Sequence, residues 1–408
     1  MPNLLFLTQR IPYPPIKGEK IRPLQILRYL HQTYDIYLGC LVDDPRDLEH
    51  VPTIRALCTG SHFATLDRRW AKLTCLRGLL TNEPLSVTFY HDRGLAAWVR
   101  QTLATVQPDV IFICSSNMAP YVLDTGYRGR VCLVDLADVD SEKWREYART
   151  GSFPMSWVHA REWRQTAALE RRIARECDWS TFVSAEEAAL FAGLVPARAN
   201  TIRAISSGVD HAYFDPAAPI APAPFDTGMP NYVFTGTMDY PPNIGAVTWF
   251  AETILPIIRR TQPDAQFHIV GSSPAPAVTK LAAPGIIVTG RVPDVRPYVA
   301  HATACVAPMR IARGIQNKVL EAMAMARPVV VTPDALEGIA AAPGHEVILA
   351  DSAEAFAAGC LYAAGPDGEA IGAAARARVL ADYVWAERLR GFDPLLVPIR
   401  AAAEVVPA

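Results

Sequence analysis

The chain shows two successive series of short apolar runs, separated by segments with helical periodicity. The first series includes LLFLT, DVIFICS and VCLVDLA, and the second includes YVFTG, AQFHIVG, TACVAPM and PVVVT. Continuous apolar runs of this length, rich in Val, Ile, Leu and Phe, are typical of parallel strands covered on both faces. Their alternation with helices predicts an α/β protein with two Rossmann-like, doubly wound domains.

A proline- and alanine-rich segment, DPAAPIAPAPFDTGMPN, interrupts the pattern and predicts a linker. We therefore expect an N-terminal domain over residues 1–214, a linker over 215–231, a C-terminal domain over 232–385 and a helix or tail over 386–408. A cleft between the two domains is the expected ligand site. The last helical run, which ends near Arg390, is long enough to pack back on the first domain.

Composition narrows the classes of protein and of partner. Among the 408 residues, 39 are basic and 41 are acidic, so the net charge of −2 gives no general attraction to nucleic acid. An anionic ligand must then be bound by local groups. The eight cysteines form no C-x-x-C pair, which favours buried thiols in a reducing cytoplasm. We expect no signal peptide and no membrane span, because the apolar runs are too short.

The segment RIARGIQNKVLEAMAMARPVVV joins two predicted strands through a glycine-containing loop and an apolar helix. Lys318 and Glu321 lie one turn apart in that helix, and such a pair is usually an exposed surface pair. Here almost no polar face remains, so both charges are expected at the ligand-facing N-terminal end. That end attracts anions, Gly314 allows close backbone approach, and Arg310 and Arg313 add positive charge. The segment predicts a phosphate site.

Glu321 extends this prediction from a phosphate to a nucleotide. Side chains in a helix lean back towards its N-terminus, so the carboxylate of Glu321 is expected near the phosphate site. A carboxylate placed there can accept hydrogen bonds from two neighbouring hydroxyls of a ribose or another sugar.

A family resemblance supports this interpretation. GIQNKVLEAMAMARPVV, with ISSGVDHAYFDP upstream and GHEVILADSAEAFA downstream, resembles the family-four glycosyltransferases of the GT-B fold. LFLTQRIPYPPIKGEKIRPLQILRYL and DLADVDSEKWREYA resemble, more narrowly, the bacterial glycosyltransferases associated with the PEP-CTERM/XrtA exosortase system. The resemblance extends from about Leu4 to Glu387. It implies an enzyme of exopolysaccharide biosynthesis that transfers a hexose from a nucleotide diphosphate sugar with retention, without a metal ion or other cofactor.

The resemblance also implies roles for the residues around the predicted helix. Glu321 matches the second glutamate of the E-x7-E motif, which binds the donor ribose. The first glutamate is replaced by Arg313, and this change leaves the identity of the donor sugar open. Arg310 and Lys318 are the candidates for a diphosphate clamp, where they would stabilise the charge of the leaving nucleotide diphosphate.

Two further loops of the second domain resemble donor-binding loops of the family. In TGTMDYPPN, residues Gly236, Thr237 and Asn243 are expected to reach the phosphates, although a plain turn with Asn243 as helix N-cap explains the pattern equally well. In VTGRVPD, the backbone at Arg291 and Val292 is expected to contact the donor base.

In the first domain the resemblance implicates the loop PPIKGEKIR and the segment DVD. Gly18 is the predicted residue of an acceptor-side loop. Asp138 is the predicted polar residue that contacts acceptor or donor hydroxyls. A D-x-D pair can also bind a divalent cation, and helix capping explains part of the motif. No metal site is expected.

The acceptor is expected to be a saccharide or a lipid-linked saccharide. A basic amphipathic helix favours the second class if it lies on the inner face of the cytoplasmic membrane, but the pattern also fits, slightly better, an ordinary domain helix with a solvated basic face. This helix lies in LDRRWAKLTCLRGLL, where Arg68, Arg69, Lys72 and Arg77 alternate with Trp70, Leu73, Leu76, Leu79 and Leu80.

Two other functions are compatible with the same fold. A nucleotide-sugar 2-epimerase would need acid and base carboxylates that the sequence does not clearly supply. A non-catalytic partner of a polysaccharide assembly complex is suggested only by Arg313 in place of the family glutamate.

Overall fold

A computed structural model describes residues 1–15, 18–79, 82–127, 129–312 and 314–397, with the side chains of Leu76 and Arg77 left out. The chain forms two compact units. The first contains Met1–Ser206 and the segment that begins at Leu389, and the second contains Ser207–Arg388.

The first unit is a parallel sheet covered by helices, with the strand order β3-β2-β1-β4-β5-β6-β7. Each pair of neighbouring strands runs parallel. The strands are β1 (Asn3–Thr8), β2 (Asp35–Val42), β3 (Gly60–Thr65), β4 (Val110–Cys114), β5 (Val131–Ala137), β6 (Trp179–Phe182) and β7 (Ile202–Ala204). The helices are α1 (Gly18–Leu30), α2 (Val51–Arg55), α3 (Arg68–Gly78), α4 (Leu85–Phe89), α5 (Arg93–Thr105), α6 (Pro120–Leu123), α7 (Asp140–Thr150), α8 (Met155–Glu176) and α9 (Ala185–Leu194).

The second unit repeats this architecture with the strand order β10-β9-β8-β11-β12-β13, again all parallel. Its strands are β8 (Asn231–Thr235), β9 (Gln266–Val270), β10 (Ile286–Gly290), β11 (Ala304–Ala307), β12 (Val329–Val331) and β13 (Ile348–Leu349). Its helices are α10 (Pro241–Trp249), α11 (Leu255–Ile258), α12 (Pro276–Thr279), α13 (Arg296–Ala300), α14 (Asn317–Ala324), α15 (Pro333–Leu336), α16 (Ala353–Ala363), α17 (Asp367–Asp382) and α18 (Trp385–Leu389). The predicted pair of doubly wound α/β domains is confirmed.

The strand order creates one crevice at the carboxyl edge of the second sheet. From β8 the chain moves outward through β9 and β10, and it then returns to the other side of β8 to form β11, β12 and β13. The loops that leave β8 and β11 therefore diverge, and ligands of doubly wound sheets bind at such a switch point.

The proline-rich segment predicted to be a linker is part of the second unit. Ile220 and Phe225 pack against its core, and the Phe225 ring lies 4.4 Å from the His268 ring. Asp215 is held by Arg376 at 2.9 Å. Proline content excludes regular helix or strand here, but the apolar side chains still gain free energy by covering the core.

The C-terminal helices also differ from the prediction. The long helix α17 ends at Asp382, and Ile371, Ala375 and Val379 bury its inner face in the second unit. The return to the first unit is made instead by a 3-10 turn, Arg390–Leu395, whose Phe392 ring lies 5.1 Å from that of Phe112. Within the part of the chain described by the structure, no helix combines the length and the apolar character needed to cross a membrane.

Candidate functional site

The floor of the crevice in the second unit is formed by two glycines at strand ends. The amide of Gly236, just after β8, donates to the carbonyl of Val270 at 3.0 Å. A Cβ atom on Gly271 would lie only 1.6 Å from the carbonyl oxygen of Gly236. Any larger residue at position 271 would therefore push the two loops apart.

Lys318 and Asn243 connect the two helices that leave the crevice. The Lys318 ammonium, in the first turn of α14, donates to Asn243 Oδ1 at 3.0 Å and lies 4.8 Å from the Phe234 ring centroid. The Asn243 amide donates to the Thr237 carbonyl oxygen at 2.9 Å. Asn243 thus fixes the β8–α10 loop and the Lys318 ammonium together, at the switch point of the sheet.

This geometry excludes one of the two interpretations of Asn243 that the sequence left open, namely that it is a helix N-cap. The N-cap of α10 is Tyr240, and Asn243 lies inside the helix, where it is buried. Its side chain therefore does not cap the helix. It joins two loops that are far apart in sequence, which the pattern TGTMDYPPN did not predict.

Lys318 and Glu321 are both half-buried, and their environment changes both of their pKa values. Burial lowers the pKa of Lys318 to about 8, although the nearby Glu321 carboxylate acts in the opposite direction. Burial likewise raises the pKa of Glu321 to about 7, against the effect of the Lys318 charge. Removal from water disfavours the charged form of both residues. A ligand that offers an anion to Lys318 and hydroxyl groups to Glu321 would stabilise these charged forms.

The loop between β11 and α14 carries the other predicted cation. The exposed Arg310 guanidinium lies 5.4 Å from the Trp249 ring centroid, a cation–π distance. Gly314 has a φ of +67°, which favours glycine over residues with a side chain. Arg313 lies outside the described residues.

The predicted base-contacting segment follows β10. Gly290 ends the strand with a φ of +68°, Arg291 is exposed, and the Val292 side chain packs against the core. The Val292 side chain is thus partly covered by the core.

In the first unit Asp138 follows β5, after Ala137 with a φ of +66°. Its Oδ1 atom is buried without a hydrogen-bond partner among the described residues. Burial raises the pKa of Asp138 to about 7, helped by the charges of Glu187 and Asp140. Gly18, the other predicted residue, is exposed at the start of α1.

Asp138 and Asp140 of the D-x-D motif do not belong to a larger group of potential metal ligands among the described residues. Within the described ranges, no three His, Cys, Asp or Glu side chains are grouped so that they could hold a metal ion.

The sequence interpretation missed a buried ion pair near Asp138. The Arg22 guanidinium on α1 donates to both carboxylate oxygens of Asp135 on β5, at 2.7 and 2.8 Å. The Thr181 hydroxyl donates to the same carboxylate at 2.7 Å. The arginine that ends the segment PPIKGEKIR and an aspartate within an apolar strand were the available signals.

Comparisons with known proteins agree with this fold. Residues 229–364 match the family model described as glycosyl transferases group 1. The matched range contains every predicted donor-site residue. None of the curated protein sequences matches the chain significantly.

Several solved structures are similar over nearly the whole chain. Sucrose-phosphate synthase from Thermosynechococcus elongatus has a TM-score of 0.70 and 17% identity, covering 98% of this chain and 100% of that one. An α,α-trehalose-phosphate synthase (UDP-forming) from Burkholderia vietnamiensis has a TM-score of 0.67 and 17% identity, covering 100% and 99%. Anabaena HepE, in complex with UDP and glucose, has a TM-score of 0.65 and 14% identity, covering 97% and 99%.

At these identities the structures establish the fold, and the family model establishes the class of the second unit. The chain therefore carries a glycosyl transferase group 1 domain within a two-domain GT-B fold, and it is a glycosyltransferase.

Proposed function

We propose that this enzyme transfers a sugar from a nucleotide diphosphate sugar bound in the second unit. The observation that carries the proposal is the Lys318 ammonium, held by Asn243 at the first turn of α14 and one turn before Glu321. A cation, free helix N–H groups and a carboxylate at a switch point suit a diphosphate and the adjacent ribose. The HepE structures that hold UDP and UDP-glucose support this donor class.

In the proposed mechanism Lys318 and Arg310 bind the diphosphate, and Glu321 accepts hydrogen bonds from the ribose hydroxyls. The bond from the anomeric carbon to the phosphate oxygen breaks while the acceptor oxygen bonds to the same face. The acceptor proton passes to the departing phosphate oxygen, so configuration is retained and no enzyme nucleophile is needed. Cations preorganised at the leaving group stabilise this charge, which is why we propose metal-independent transfer.

For the acceptor we propose a glycan or a lipid-linked saccharide of exopolysaccharide biosynthesis, in the cytoplasm and in association with a PEP-CTERM/XrtA system. The support is the sequence resemblance of the segments around Gly18 and Asp138. The Asp138 carboxylate, with one oxygen that has no hydrogen-bond partner among the described residues, is the proposed hydrogen-bond acceptor for a sugar hydroxyl.

The donor site is tested by calorimetric titration with a panel of nucleoside diphosphates. Glu321→Ala is expected to weaken binding by roughly 100-fold, as for the loss of two hydrogen bonds to a charged group. Binding is expected to be equal in chelator and in magnesium. Glu354→Ala, which removes an exposed glutamate of α16, serves as the matched control and should bind like the wild type.

Equal affinity of the wild type and Glu321→Ala would show that Glu321 does not hold the ribose. Donor consumption without any acceptor would instead favour the epimerase. Donor binding without transfer to lipid or glycan extracts would favour a non-catalytic partner.

The role of Asp138 is tested by transfer assays with Asp138→Asn. The variant is expected to lose roughly 10- to 100-fold in kcat/KM, because an amide replaces a charged acceptor, while its nucleotide affinity stays at the wild-type value. In the wild type, activity should rise as the pH increases through about 7, where Asp138 ionises. The variant should lack this rise.

A stability measurement separates this role from a structural one. A carboxyl group whose pKa is raised by folding destabilises the folded state at any pH above its pKa in the unfolded chain. At such a pH the carboxyl ionises freely only in the unfolded state. Asp138→Asn should therefore keep or increase the free energy of unfolding at neutral pH. A loss of both stability and nucleotide binding would contradict the proposed role.

A further inference from the structure

Helix α3 in the first unit turns two large apolar side chains outward. Trp70 is 67% exposed and Leu73 is 58% exposed, whereas the small Ala71 is buried. A helix on the surface of a globular domain normally buries its apolar side and exposes its polar side. The opposite arrangement leaves an uncovered hydrophobic face, and large exposed apolar groups mark interaction surfaces.

The same helix is basic and contains no acidic residue. Arg69 and Lys72 are exposed, and among the described side chains neither has an ion-pair partner. Arg68 is the exception, because it pairs with Asp43 at 2.6 Å. The helix start is fixed by Asp67, whose carboxylate accepts from the backbone amides of Arg69 and Trp70.

A second exposed apolar cluster lies at the start of α8. Phe153 is 84% exposed, Met155 is 52% exposed and Trp157 is 58% exposed. Two exposed cations, Arg149 before this cluster and Arg164 after it, have no ion-pair partner within the described part of the chain. The sequence pattern had not drawn attention to this segment.

The two clusters are carried by elements in direct contact. The Arg161 guanidinium on α8 donates to the carbonyl oxygens of Gly78, at the end of α3, and Glu83. Trp157 lies four residues before Arg161 and thus on the same face of α8, about 6 Å along the helix. Trp157 therefore lies on the face of α8 that also carries Arg161, the residue bonded to the end of α3.

We propose that these two clusters, called the α3–α8 surface, dock on an anionic lipid membrane. The surface consists of Trp70, Leu73, Phe153, Met155 and Trp157 with Arg69, Lys72, Arg149 and Arg164. Tryptophan prefers the boundary between lipid and water, and these four cations complement anionic headgroups. Cations next to exposed Trp, Phe and Leu side chains are the combination typical of segments that lie at a lipid interface. Docking would bring the first unit to lipid-linked molecules.

The test is co-sedimentation of the full chain with vesicles of phosphatidylcholine, with or without phosphatidylglycerol. The wild type should bind the anionic vesicles and release at high salt. Trp70→Ser/Leu73→Ser should weaken partitioning by roughly tenfold. Arg69→Gln/Lys72→Gln should weaken it by roughly 30-fold, about fivefold for each cation.

Two further variants complete the design. Phe153→Ser/Trp157→Ser should also weaken partitioning, which tests whether both clusters contact the same membrane. Leu190→Ser/Leu380→Ser removes exposed apolar side chains outside the α3–α8 surface and should partition like the wild type. Thermal unfolding followed by circular dichroism verifies that each variant is folded.

The result that overturns the proposal is equal wild-type binding to neutral and anionic vesicles, or no loss in the cation variant. Concentration-dependent dimerisation abolished by the same variants, without vesicle binding, would overturn it as well and assign the surface to a second copy. The measurement contains no nucleotide, so its outcome is independent of the proposed donor site.

Discussion

Lys318→Met is expected to lower kcat/KM for sugar transfer by roughly 100- to 1000-fold, the usual loss when one preorganised charge stabiliser is removed. The same variant should bind nucleoside diphosphates much more weakly. Methionine keeps the length and apolar stem of lysine, so the packing of α14 is preserved, while the ammonium over the Phe234 ring is removed. The loss is therefore electrostatic, and steady-state assays with calorimetry measure it.

The unliganded Lys318→Met variant should be at least as stable as the wild type. Folding lowers the pKa of Lys318, which means that the folded state disfavours the charged ammonium. The resulting loss of folding free energy is present at neutral pH and disappears at high pH, where the lysine has lost its proton. A neutral methionine side chain carries no such cost. Urea unfolding at neutral pH measures the difference, and a destabilised variant would indicate that Lys318 acts mainly through its bond to Asn243.

Nucleotide affinity should also follow a bell-shaped dependence on pH, with its maximum between about 7 and 8. Below this range Glu321 becomes protonated and loses acceptor capacity, and above it Lys318 loses its charge. Glu321→Gln should remove the acidic limb and leave the alkaline one.

Lys280→Met provides the matched control for Lys318→Met, because Lys280 is an exposed lysine of the same unit. Its kcat/KM and nucleotide affinity should equal those of the wild type. If Lys318→Met also retained full affinity, the phosphate-binding role of Lys318 would be wrong.

The sequence predicted those parts of the site that lie within one local segment. Lys318 and Glu321 stood out because the rest of their helix is apolar, and the glycine loop before it indicated an anion site. The contact of Lys318 with Asn243 spans 75 residues, and nothing in either segment encodes the other. Such a pairing follows from strand order, which places β8 and β11 side by side, so that the loops after them begin next to each other before they diverge.

The same limit explains the errors in domain organisation. Proline content correctly excluded regular structure between residues 215 and 230, but it carried no information on whether Ile220 and Phe225 are buried. For α3, periodicity showed an amphipathic helix and left its orientation open. Orientation depends on tertiary packing, which places Trp70 in solvent.

The buried ion pair between Arg22 and Asp135 yields the prediction with the largest expected effect on stability. Arg22→Met is expected to lower the free energy of unfolding by about 3–5 kcal/mol, because it leaves a buried carboxylate without its cation. The Thr181 hydroxyl alone does not replace two charge-assisted hydrogen bonds. Urea unfolding monitored in the first unit measures this loss.

The double variant Arg22→Met/Asp135→Leu should recover most of the stability, since an apolar pair of similar volume replaces the buried ions.

A matched control distinguishes burial from ion pairing as such. Arg46 pairs with Asp44 at 2.6 Å, but the arginine is exposed, so Arg46→Met should cause no measurable loss of stability. If Arg22→Met lowered the free energy of unfolding no more than Arg46→Met, the buried ion pair between α1 and β5 would not stabilise the fold. If the double variant were as unstable as Arg22→Met, the loss of stability would come from the packing around Arg22 rather than from an unpaired Asp135. That packing includes the Phe392 ring, whose centroid lies 5.8 Å from the guanidinium carbon of Arg22.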